Sequence, residues 1–189
     1  MTMSTDTKER IMEAARLTVQ DLGYGGLSFR ELAKEVGIKS ASIHYYFATK
    51  GELGAALVSR YIEFHAEMLE KLLAEGADSQ TCLARYTDVF RNTLLNGNRM
   101  CLAGILAAER NDLPDDVRNE VIKWAEMNEL WIARVLAMRK SAGPKEFRRR
   151  ARAIFAAVSG AQLSAHSRGD VTIFDEIVAD YRESGFMLD

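Results

Sequence analysis

The chain has 189 residues, 48% of them hydrophobic and 28% charged, with two prolines, two cysteines and a formal net charge of -2. That composition supports a buried core and argues against wholesale disorder, and the longest apolar run, Leu102–Ala108, reaches only about a third of a membrane span. Cys82 and Cys101 make neither a disulfide framework nor a Cys-x-x-Cys site, the first ten residues carry no secretory signal, and the expected compartment is the cytoplasm, with no metal and no cofactor implied.

Few prolines and segments rich in Ala, Leu, Glu and Arg predict helix almost throughout, about nine helices and no strand. The first helical pattern begins near Thr7, and Ile11, Ala14, Ala15, Val19 and Leu22 form one apolar stripe. It stops at Gly23-Tyr24-Gly25-Gly26, a loop without the preceding strand and following Lys-Ser/Thr of a phosphate-binding turn. Ser28-Phe29-Arg30-Glu31 reads as a capping box opening a short helix that Gly37 ends. A third helix runs to about Phe47. A second capping box, Thr49 to Glu52, opens a long fourth helix with Leu53, Leu57, Tyr61, Phe64, Met68 and Leu72 on one face. Further helices are expected over 80–95, over 99–110, from Pro114 to about Arg139, from Lys145 to about Arg168, and from about Thr172 to Phe186.

The second and third helices, joined by a tight glycine turn, satisfy the helix-turn-helix description. From Gly37 to Lys50 the chain carries Lys39, Ser40, Ser42, His44, Tyr45, Tyr46 and Lys50 and no acidic residue. Small Ala41 and Ser42 allow close approach to a groove, while hydroxyls and lysines donate to phosphates and base edges. The residues therefore point to DNA, which a net charge of -2 does not suggest.

The run from Leu32 to Lys50, LAKEVGIKSASIHYYFATK, resembles the TetR family of bacterial transcriptional regulators. The resemblance lies in an Ala-containing second helix, a Gly followed by an aliphatic residue, a recognition helix ending in aromatic residues, and a Thr-Lys step. It is strong over about residues 8 to 55 and rests on helix count and order beyond them. It implies an all-α fold, a helix-turn-helix domain over 1–52 and a helical effector-binding and dimerisation domain over 53–189. It also implies base-edge contacts from Lys39, Ser40, Ala41, Ser42, Tyr45 and Arg30, and phosphate contacts from Ser28, His44, Tyr46 and Lys50. Departures from the family pattern at Lys39, Ala41, His44 and Gly51 leave the operator sequence open.

For the remainder, the resemblance implies a ligand pocket within helices five to seven and a homodimer formed by the last two helices. Small residues at the centre of the eighth helix, Ala151, Ala153, Ala156, Ala157, Gly160 and Ala161, suit close helix approach. Phe90, Cys101, Trp124, Met127 and Trp131 are candidate lining for a bulky apolar effector, or simply core. Cys101 is either a sensor thiol, activated by a helix start and Arg99, or an inert buried residue. The basic run from Arg139 to Arg152 is either a second nucleic-acid surface or a solvated helix end paired with acids after Glu109. The expected function is that of a ligand-released repressor, with activation the open alternative. Scattered His44, His65 and His166 and the lack of any catalytic motif argue against an enzyme.

Overall fold

The computed structural model describes residues 3–139 and 143–187, so Lys140 of the basic run lies outside it. Among the described residues the chain forms nine α-helices and two single 3-10 turns. In order these are α1 (Met3–Leu22), α2 (Phe29–Val36), α3 (Ser40–Tyr46), α4 (Lys50–Ala74), α5 (Ser79–Leu95), α6 (Leu102–Ala108), α7 (Asp115–Ala137), α8 (Pro144–His166) and α9 (Val171–Glu183). No helix among the described residues is long and apolar enough to cross a membrane.

The helices gather into two compact units, one of residues 1–62 with 102–123, the other of 63–101 with 124–189. In the first unit, Ile11, Ala15 and Val19 of α1 share a core with Leu32 and Val36 of α2, Ile43 of α3 and Leu53 and Leu57 of α4. Leu102, Leu106, Leu113 and Val117 join that same core. A cut between residues 52 and 53 thus divides the chain by expected role, whereas packing places α6 and the start of α7 with the N-terminal helices. In the second unit α5, α8 and α9 pack on one another, burying Leu83, Phe90, Ile154, Val158, Phe174 and Val178.

Several local expectations need correction. Ser28 occupies the N-cap of α2 but makes no side-chain cap hydrogen bond. Glu31 instead turns to the Lys34 ammonium at 2.9 Å and Arg30 at 3.3 Å, an ion pair that outcompetes the backbone donor and holds its carboxyl below the usual pKa range. The second capping box forms with one shift: Thr49 Oγ1 accepts from Glu52 N–H at 3.0 Å as a capping box requires, while Glu52 reaches one residue further back and accepts from Ala48 N–H at 2.8 Å. Leu22, assigned to the inward stripe of α1, is 70% exposed, and Phe64 of α4 is 65% exposed. Both sit where the periodic pattern runs past the surface its helix covers; His65 and Leu69 take the buried side of α4. The sixth helix is shorter than expected at both ends: it begins only at Leu102, and a 3-10 turn at Arg110–Asp112 follows its last residue, Ala108, after one intervening position. In the basic run Arg149 pairs with Glu146 at 2.6 Å and Arg152 with Glu129 at 2.8 Å. These partners lie within α8 and in mid-α7.

Candidate nucleic-acid interface

The helix-turn-helix is built by a backbone device. Gly37 takes φ 74° and ψ 36°, and Ile38 N–H bonds to Ala33 O at 2.9 Å, the Schellman pattern that ends α2 and reverses the chain within two residues. Arg10 of α1 ties down the same turn by donating to Val36 O at 2.5 Å. The seven residues of α3 then bury Ile43, and Phe47 beyond its end is buried too, with the Lys8 ammonium 5.6 Å from its ring centre.

With Ile43 and Phe47 anchored, the opposite side of α3 is left to solvent. Lys39, Ser40, Ala41, His44 and Tyr45 are exposed there, and Tyr45 at 81% is the most open of the large hydrophobic side chains described. Ser42 and Tyr46 are half-buried, Tyr46 meeting Tyr45 edge to face at 5.1 Å. Lys39 is the N-cap of α3, but its ammonium is a donor only and cannot cap the helix; the side chain is exposed. Arg30 on α2 is exposed; Ser28, with no cap bond to make, presents a half-exposed hydroxyl. His44 lies edge-on to Phe29 at 4.9 Å, so part of its ring is committed to packing between α2 and α3. Lys50 is half-buried, its ammonium 4.4 Å above the Tyr24 ring. The exposed part of this set offers cations, hydroxyls and a flat phenol without a carboxylate on α3, a surface suited to phosphates and base edges.

The candidate effector residues fall in the second unit. Phe90, Cys101, Trp124 and Trp131 are buried and Met127 is half-buried. Tyr86, which composition gave no reason to single out, stacks on Trp131 at 5.7 Å and donates to Asn128 Oδ1 at 2.9 Å. Asn128 Nδ2 donates to Trp124 O at 2.8 Å, and Trp131 Nε1 to Leu69 O at 3.0 Å. Gln162 donates to Phe90 O and accepts from Cys101 N–H at 3.2 Å. Burial and the neighbouring Cys101 push the Tyr86 phenol well above its ordinary pKa, so it stays a neutral donor. Cys101 precedes α6, a helix of seven residues, and Arg99 donates to Asn96 O. Among the described residues no group of three or more His, Cys, Asp or Glu could hold a metal.

Residues 11–57 match the profile described as bacterial regulatory proteins, tetR family. This helix-turn-helix domain is a TetR-family domain. It is therefore a DNA-binding element, and the family is one of regulators, not enzymes. The chain is 40% identical over 68 residues to the probable HTH-type transcriptional regulator YttP of Bacillus subtilis, covering 36% of this chain and 33% of that protein. It is 29% identical over 123 residues to the HTH-type transcriptional repressor NemR of Escherichia coli K12, covering 64% of this chain and 62% of that one. The matches thus span between a third and three-fifths of these curated relatives. A TetR transcriptional regulator from Legionella pneumophila superposes with a TM-score of 0.88 at 28% identity, covering 94% of this chain and 96% of that one.

Proposed function

We propose that this chain is a homodimeric transcriptional repressor that binds a near-palindromic operator and is released from it by a small-molecule effector. The observation that carries the reading is the solvent face of α3, exposed, acid-free and topped by Tyr45. Lys39, Ser40, Ala41, Ser42 and Tyr45, with Arg30 of α2, read base edges. Ser28, His44, Tyr46 and Lys50 hold phosphates, and residues 1–52 serve as the DNA-binding domain. NemR, named a repressor, supports the sign of the regulation.

Residues 53–189 sense the effector and dimerise. The dimer forms through α8 and α9. Along α8, Ala151, Ile154, Val158, Ala161 and Ala165 face the subunit's own core, whereas Ala153, Ala156, Gly160 and Leu163 are exposed. Such a small-residue stripe on a helix supports close approach by a second helix. Pairing two subunits in this way sets two recognition helices roughly 34 Å apart, one turn of DNA. Phe90, Cys101, Trp124, Met127 and Trp131 surround the effector. The effector releases DNA by binding better to a state whose recognition helices are misplaced for adjacent major grooves, with α4 as the lever.

A mobility-shift titration against the DNA upstream of the protein's own coding sequence, with and without candidate effectors, tests this. A retarded band that an effector abolishes supports the repressor reading. Retarded complexes that every effector strengthens would contradict it.

A further inference from the structure

We propose that Glu109, just past the end of α6, is a positioning residue for operator binding: its carboxylate fixes the turn before α2 and, through Tyr24, the place of the Lys50 ammonium. The inference rests on the reading of Lys50 as a phosphate contact. Tyr24 is the first residue of the 3-10 turn Tyr24–Gly26, and its N–H has no partner within that turn. Glu109 Oε2 accepts it at 2.6 Å, across 85 positions of sequence. The turn is shaped around this carboxylate. Gly23 has φ 73°, and a Cβ there would lie 2.0 Å from Glu109 Oε1.

Lys50 belongs to the same cluster. Its ammonium lies 4.4 Å above the centre of the Tyr24 ring, whose edge in turn packs where a Cβ on Gly54 would come within 3.0 Å. Burial pulls the Lys50 pKa below its ordinary value, and the charge of Glu109 pushes back, holding the ammonium form. A carboxylate just past the C-terminal end of α6 opposes that helix's dipole, where a cation would be favoured. Its placement is compensated by what it holds on the DNA-binding side. Leu102 and Leu106 fix α6 itself in the core shared with α1–α4. A shift of α6 therefore withdraws the acceptor from Tyr24 and the counter-charge from Lys50 together.

The test uses the wild-type chain, Glu109→Ala, Glu109→Gln, Lys50→Ala and the two double variants that combine Lys50→Ala with Glu109→Ala or with Glu109→Gln. The probe is the tightest duplex obtained by selecting random double-stranded DNA on the wild type. Affinity is read by fluorescence anisotropy over a salt series, and folding by circular dichroism. Glu109→Ala should weaken binding about tenfold, the scale of one charge-assisted hydrogen bond. It should add almost nothing in the Lys50→Ala background. Glu109→Gln keeps an acceptor for Tyr24 and loses the charge, so its smaller loss should also vanish with Lys50→Ala; it decides the matter if Glu109→Ala does not fold. Losses that simply add, or wild-type affinity for both Glu109 variants, would overturn the inference while leaving Lys50 a phosphate contact. An unchanged affinity and salt slope for Lys50→Ala would overturn that reading instead, and the inference with it.

Discussion

Tyr86 joins an aromatic stack to a buried polar pair, and its hydroxyl is the donor that satisfies Asn128 Oδ1. Tyr86→Phe leaves that oxygen without this donor in a site closed to water, so unfolding in urea should show a loss of about 1–3 kcal/mol. Asp78 illustrates the exposed counterpart. It caps α5 by accepting from Thr81 N–H at 2.7 Å, and that bond holds its carboxyl below the ordinary pKa. A depressed folded-state value means the stabilisation is present above the unfolded pKa of about 4 and is lost as pH falls through the lower folded value. Asp78→Asn should keep the cap and remove that part of the acid limb, which unfolding curves between about pH 5 and pH 2 would reveal. At the interface, Tyr45→Ala should cost about 1–3 kcal/mol of operator binding without altering stability, because the side chain is exposed and touches a base in our reading.

Helices whose two faces differ carry the functional argument. On α3 the split is between Ile43, inward, and Tyr45, outward; on α8 it is between Val158 and Leu163, the latter 56% exposed. Ala156→Glu with Leu163→Glu alters only the outward face of α8. The double variant should keep its helical spectrum and sediment as a monomer, where in our reading the wild type should sediment as a dimer. Element type and order were legible in the sequence because the 3.6-residue period, the glycine stop at Gly37 and the Thr49–Glu52 box are local signals. Helix ends were less so. Ser28 and Thr49 carry the same motif, yet Glu31 had Lys34 one turn away to compete for its carboxylate and Glu52 kept to the backbone. Phe64 and Leu22 fit the period of their helices but lie beyond the surface those helices bury.

At the scale of the whole chain, what escaped sequence reasoning was contact between distant segments. Nothing in the composition of residues 102–123 marks them as partners of α1–α4, and the Glu109–Tyr24 bond joins positions 85 apart. The period of its helix places Tyr86 inward, but its polar role depends on Asn128 and Trp131 of another helix. Charge was informative only by distribution. Residues 1–53 hold equal numbers of basic and acidic side chains, yet α3 has no acid and residues 170–189 hold six acids against one Arg. In our reading this acid-free face, with Lys50 beside it, grips DNA. The most direct measurement is the salt-dependent affinity of the wild type and a folded Tyr45→Ala/Lys50→Ala variant for the duplex selected on the wild type. The variant should lose at least about tenfold in affinity, with a log–log salt slope shallower by about one as a phosphate contact disappears. Equal affinity and equal slope in a properly folded variant would contradict it.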